Sequence, residues 1–172
     1  YKHSRLGSAY LPQEPSVFRK FTVEDNIWSI LQTRKDLTKE EKKQRLESLI
    51  EEFSIERIRK QKAYTLSGGE RRRTEIARSL ALEPKFLLLD EPFAGNDVFN
   101  REDFCKVLLG ILEPHETVLL STHLIEEVSG FIGRAVLLHE GCVVGDVSTA
   151  DLDESGVSLI EHIKSTYRYR GD

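Results

Sequence analysis

The run Phe86-Leu87-Leu88-Leu89 stops abruptly at two adjacent acids, Asp90 and Glu91, followed by Pro92. Four continuous apolar residues bounded in this way fit a strand buried on both sides. The two carboxylates then emerge at its C-terminal end, where open parallel sheets present their ligand sites. The pattern repeats downstream. Thr117–Ser121 is a second apolar run, followed by a short helical segment from about Leu124 to Val128. Ala135–Leu138 is a third, and Gly141 turns it back into Cys142-Val143-Val144 as an antiparallel partner. A helix is expected from about Arg101 to Leu112, and one or two more in the tail from Ser148. Apolar strands alternating with helices predict an α/β fold with a largely parallel sheet covered on both faces.

The first part of the chain reads differently. Residues 34–62 are dense in both signs of charge. The stripe Val23, Ile27, Ile30, Leu31 predicts a helix capped by Thr22, with Asp25 three residues on. Thr38 and Glu41 form a capping-box pattern for a second helix with stripe Leu46, Leu49, Ile50, Phe53. A short third helix is expected over Ile55–Lys60, and the charges of this region are read as solvated helix faces.

Size and charge narrow the function. With 172 residues, 25 Lys+Arg against 29 Asp+Glu and a net charge of −4, the chain suits one domain and disfavours a general nucleic-acid binder. No apolar run approaches the ~20 residues that span a bilayer, and residues 1–13 lack the apolar core of a secretory signal. Cys105 and Cys142 match no metal spacing and are expected to be reduced and half-buried.

Three segments carry chemistry. In Leu66-Ser67-Gly68-Gly69-Glu70, Ser67 and Glu70 form a capping box around two glycines at the start of a helix running through Ile76, Ala77, Leu80 and Ala81. Exposed N–H groups and a positive dipole end suit an anion there; the pattern alone equally fits an ordinary capped helix. Of the acids at the strand end, one can hold a magnesium ion and the other can polarise an attacking water. Ser121-Thr122-His123 places an imidazole at the same sheet edge, as a candidate for touching a phosphate.

LSGGE at 66–70, FLLLDEP at 86–92 and STH at 121–123, in that order, resemble the ATP-binding cassette (ABC) family of ATPases. Tyr10-Leu11-Pro12-Gln13 is similar to that family's glutamine loop, and Ala94-Gly95-Asn96-Asp97 to its loop at the dimer interface. The resemblance covers essentially the whole chain. It implies a partial P-loop NTPase fold of the ABC type. Residues 14–83 would form a helical subdomain with the signature motif, residues 84–147 a sheet core, and residues 148–172 a helical tail. It implies ATP and Mg2+ as cofactors. Gln13 would meet the metal and the lytic water, Asp90 would hold the metal through water, Glu91 would be the general base, and His123 would bond the γ-phosphate. Ser67, Gly68 and Gly69, with Glu70 closing the motif, would complete the ATP site of a second nucleotide-binding subunit, and Asp97 would sit at that interface. The resemblance also implies transmembrane permease partners, a cytoplasmic position on the inner membrane face, and a groove for the membrane partner to which Phe18, Phe21 and Trp28 are assigned, or they simply pack the helical subdomain. Residues 7–95 resemble lipopolysaccharide-export ATPases and residues 96–172 look more like ATPases of exporters of the ABC-2 type, which implies a seam near Gly95-Asn96.

Two departures qualify these implications. Asn96 and Val98 stand where the family has an apolar residue and a proline. No G-x-x-x-x-G-K-S/T occurs, and Gly7 is the one glycine before Gln13. That loop cradles the α- and β-phosphates, so the N-terminal phosphate-loop part is expected to be missing and the chain alone to bind ATP poorly, while exposing sheet surface. Two other readings follow: a catalytically incomplete interaction or assembly module of the same fold, and an ABC-type ATPase acting on nucleic acid or the ribosome. The second calls for a coiled-coil insertion or a second cassette, and neither is present in these residues.

Overall fold

The computed structural model describes residues 7–93, 110 and 116–168. They fall into two compact units, Tyr1–His123 and Leu124–Asp172, each taken here by itself.

In the first unit, β1 (Ser8–Leu11), β2 (Phe86–Asp90) and β3 (Thr117–Ser121) form a parallel sheet in the order β1-β2-β3. The register sets Leu11 beside Leu89 and Leu89 beside Leu120, so the three strands end at one edge. Side chains alternate across the pleat. Ala9, Leu11, Leu87 and Leu89 are buried on one face, against the helices. On the other face Tyr10, Phe86, Leu88 and Leu119 are 55%, 57%, 38% and 62% exposed. Among the described residues nothing covers this second face, so there the expectation of strands buried on both sides is not met, and the expected exposure of sheet surface is. An apolar run shows that a strand can be covered on two faces, and the cover itself comes from other parts of the fold. The helix expected over Arg101–Leu112 lies outside the described residues, apart from the helical Gly110.

The helices begin where local chemistry places them. Thr22 caps α1 (Val23–Leu31), Thr38 caps α2 (Lys39–Glu52) and Ser67 caps α3 (Gly68–Leu80), each with a reciprocal capping box through Asp25, Glu41 and Glu70. Each box satisfies two backbone N–H groups that a helix start leaves unpaired. Ile55–Lys60 supplies only a 3-10 turn, Glu56–Ile58. Ile27, Leu31, Leu49, Ile50 and Ile76 are fully buried, each burial contributing about 1.5–3 kcal/mol. α3 packs against both β1 and α1 and so joins the sheet to the helical part. Arg59 fastens that part from outside, reaching Glu24 of α1 at 3.1 Å and Glu47 of α2 at 2.9 Å.

The second unit holds α4 (Ile125–Val128), β4 (Arg134–His139), β5 (Cys142–Ser148), α5 (Thr149–Ser155) and α6 (Leu159–Arg168). β4 and β5 pair antiparallel as a separate two-stranded sheet. Leu137, Leu152, Leu159 and Ile163 form its core. Cys142 is exposed, not half-buried, because it opens β5 directly after the turn at Gly141; Cys105 lies outside the described residues.

Candidate functional site

The C-terminal edge of the parallel sheet gathers most of the singled-out side chains. Gln13 stands exposed two residues beyond β1, Asp90 ends β2, Glu91 follows it, and His123 stands two residues beyond β3. Parallel pairing forces this: strands running the same way in register end together.

The two acids are held differently. The Asp90 carboxylate accepts the Ser121 hydroxyl at 2.6 Å on Oδ1 and the Tyr10 hydroxyl at 3.0 Å on Oδ2. The Ser121 bond first, and the Tyr10 bond second, keep its pKa below the ordinary aspartate value, while the same contact raises that of Tyr10. Glu91 is turned aside by a backbone φ of 40°. Left-handed backbone at a non-glycine costs of order 1–3 kcal/mol and persists where the surroundings over-determine it. Here the Glu91 N–H donates to the Ser121 carbonyl at 3.0 Å. The Glu91 carboxylate takes the Thr122 hydroxyl at 3.3 Å on Oε2 and the His123 backbone N–H at 3.1 Å on Oε1. His123 Nδ1 lies 2.8 Å from that same Oε1, with the His123 side chain 73% exposed.

At the signature segment the Ser67 hydroxyl accepts the Glu70 N–H at 3.3 Å and donates to Glu70 Oε2 at 2.8 Å. Ser67 is exposed, Gly68 half-buried and Gly69 buried. Glu70 is held below its usual pKa, first by the Ser67 N–H. Asp97, Asn96 and Val98 lie outside the described residues.

Tyr10 and Ser121 lie in motifs quoted from the sequence but had no role assigned there, and Arg72 and Glu75 were not singled out. Arg72 and Glu75 are buried in α3, at 6% and 2% exposure. For Arg72 the available signal was its place one turn before Ile76, on the buried stripe of that helix; Glu75 sits beside that stripe and gave no such signal. Between α1 and α2 lies an open groove of about 920 Å³, lined by Trp28 and Leu46 with Glu24, Asp25, Glu47 and Glu51 among its acids. Phe18 and Phe21 are not part of that lining. Their rings pack on each other at 5.5 Å, and the Arg78 guanidinium lies 5.0 Å from the Phe18 ring.

Asp90 and Gln13 offer hard oxygen donors, as magnesium requires when substrate phosphates and water complete its shell. Among the described residues no group of three or more His, Cys, Asp or Glu is arranged to hold a metal. Among the described residues no helix is long and apolar enough to cross a membrane.

Comparison with known proteins bears on this geometry. The family model described as ABC transporter matches residues 1–94. The lipopolysaccharide export system ATP-binding protein LptB of Escherichia coli K12 is 39% identical over 167 residues, covering 97% of this chain and 67% of LptB. The Haemophilus influenzae LptB is 42% identical over 144 residues, 84% of this chain and 60% of that protein. An uncharacterized ABC transporter ATP-binding protein of Rhizobium meliloti is 46% identical over 144 residues, 84% of this chain and 53% of that protein. A solved structure titled as the ATP binding subunit of an ABC transporter matches with a TM-score of 0.78 at 25% identity, over 95% of this chain and 69% of that one. The chain thus spans from about half to two thirds of the length of these curated relatives. The likeness to LptB covers residues on both sides of Gly95-Asn96 and is not confined to residues 7–95.

Proposed function

The chain belongs to the ABC transporter family of ATP-binding subunits, and from that premise we propose that it forms the hydrolytic edge of an ATPase that powers export across a membrane. The observation that carries the reading is the Glu91 carboxylate, held by Thr122 and His123 beside Asp90 at the end of a parallel sheet.

Glu91 is the general base, taking the proton of the water that attacks the γ-phosphate. Its hold on the backbone N–H and side chain of His123 fixes the carboxylate at that edge. Asp90 and Gln13 would hold a magnesium ion, which would supply positive charge against the phosphate oxygens. The Tyr10 and Ser121 hydroxyls keep Asp90 ionised for that role. His123, exposed and imidazole-bearing, bonds the γ-phosphate. The protein contributes mainly position and charge, as phosphoryl transfer requires.

Ser67, Gly68 and Gly69 complete the nucleotide site of a second subunit, with Glu70 holding the turn and Asp97 at the interface. The groove bearing Trp28 between α1 and α2 receives a segment of the transmembrane partner, and the chain works on the cytoplasmic face of the membrane. The LptB relatives, named for lipopolysaccharide export, support the export direction. The domain reading follows: residues 14–83 as helical subdomain, 84–147 as sheet core and 148–172 as tail.

The test is ATP turnover by the full-length protein carrying Glu91→Gln. The expected loss is about 10²–10⁴-fold, the range of general-base catalysis, with ATP still bound. Turnover at the parent rate overturns the reading.

A further inference from the structure

Arg72 stands out among the charged groups of the first unit, because it is buried and reaches both halves of the sheet edge. Its Nη1 donates to the Pro12 carbonyl at 2.8 Å, immediately ahead of Gln13. Its Nη2 donates to the Asp90 carbonyl at 3.3 Å, and its Nε to the Pro92 carbonyl at 3.3 Å. These last two carbonyls flank Glu91, whose backbone sits at φ 40°. Glu75, one turn on, neutralises the guanidinium at 3.4 Å and accepts the Ser16 and Val17 N–H groups at 2.6 and 3.2 Å. Arg78, one turn further, donates to the Ser16 carbonyl and hydroxyl, both at 2.8 Å. Residues 72, 75 and 78 recur every three positions, so they share one face of α3.

We propose that Arg72 is a positioning residue for hydrolysis. It ties the helix of the signature segment to the backbone on both sides of Glu91 and just ahead of Gln13, and so aims the Glu91 carboxylate. The proposal rests on the reading of Glu91 as general base. A planar guanidinium can direct several N–H groups to carbonyls at fixed angles, and an ammonium cannot reproduce that fork. Arg72 is buried, and the three carbonyls it binds lie in two segments far apart along the chain, one at Pro12 and one spanning residues 90–92. A displacement of α3 therefore moves the lip that carries Glu91 and the start of the Gln13 segment together. Misplacing a reacting group by about 1 Å is enough to cost on the order of 10²-fold in rate.

The experiment compares Arg72→Lys and Arg72→Gln in the full-length protein by steady-state ATP hydrolysis, with thermal unfolding followed by circular dichroism. For Arg72→Lys, which keeps the buried charge, kcat is expected to fall by about 10- to 10²-fold while KM for ATP stays within about threefold, since Arg72 holds backbone and not nucleotide. Arg72→Gln falls further; should it fail to fold, the lysine variant carries the test. The second arm is a double-mutant cycle with Glu91→Gln. If Arg72 acts through Glu91, Arg72→Lys produces no further loss once Glu91 is gone. An equal loss in both backgrounds overturns the proposal, as does a lowered unfolding temperature with kcat unchanged. Parent-rate turnover by Glu91→Gln alone refutes the general-base reading instead. Normal kcat in Arg72→Lys beside an inactive Glu91→Gln refutes only the positioning role.

Discussion

His123 Nδ1 sits 2.8 Å from Glu91 Oε1, and the same oxygen accepts the His123 backbone N–H at 3.1 Å. One residue beyond the Thr122 hydroxyl on Oε2, the end of β3 thus grips the carboxylate that follows β2. The side chain is exposed while the backbone contact is independent of it, so the two contributions separate by mutation. In His123→Ala, the backbone N–H can still bond Glu91, but the imidazole proposed to bond the γ-phosphate is lost. ATP turnover by the full-length protein is expected to fall about 10²-fold, as for the loss of one charge-stabilising donor. The unfolding temperature, measured alongside, should remain that of the parent.

Glu75 is buried and partners Arg72 while accepting two backbone N–H groups. Glu75→Ala leaves a buried guanidinium without its counter-charge and strands the Ser16 and Val17 donors. Removing one partner of a buried pair costs about 3–5 kcal/mol. Urea unfolding should show that loss as a lower midpoint, and a loss under about 1 kcal/mol would place the pair with weak surface bridges.

Ser67 closes a capping box with Glu70 at the start of α3. Ser67→Ala should cost about 1 kcal/mol, seen as a fall of about 2–4 °C in Tm for a chain of this size. Ser67→Asn, which restores an accepting side chain, should recover most of it. A shift well beyond this range would mean that the serine does more than cap.

Glu24 has its pKa lowered, first by its bond to Lys60; burial opposes this as the next effect, and Arg59 adds to the lowering. A carboxylate with a depressed folded pKa stabilises fully above its unfolded value, here 4.5, and loses that contribution as pH falls through the folded value. Urea midpoints should therefore drop on acidification below about pH 4.5, and Glu24→Gln should flatten that limb by removing the titrating group. An unchanged acid limb in Glu24→Gln would assign the dependence to other carboxylates.

The helix starts were legible because caps are local. Thr22 with Asp25, Thr38 with Glu41 and Ser67 with Glu70 each settle their geometry within three residues, whatever packs around them. The strand ends at Asp90 and Ser121 were legible for a similar reason, since an apolar run and its polar stop lie side by side in the chain. The order of strands then brought Gln13, Asp90, Glu91 and His123 to one edge, as parallel pairing requires.

Burial was decided only by the tertiary structure. Leu88 and Leu119 look as core-like in sequence as Leu87 and Leu89, yet they are exposed, because the pleat assigns faces and, among the described residues, the helices cover only one of them. Arg72 and Glu75 look like solvated helix charges, and the fold buries them because Pro12, Asp90 and Pro92 bring carbonyls to that face from far along the chain. A sequence determines what each residue can bond to nearby. Which desolvated partner a charge meets depends on long-range closure of the chain, and that is set by the packed core as a whole.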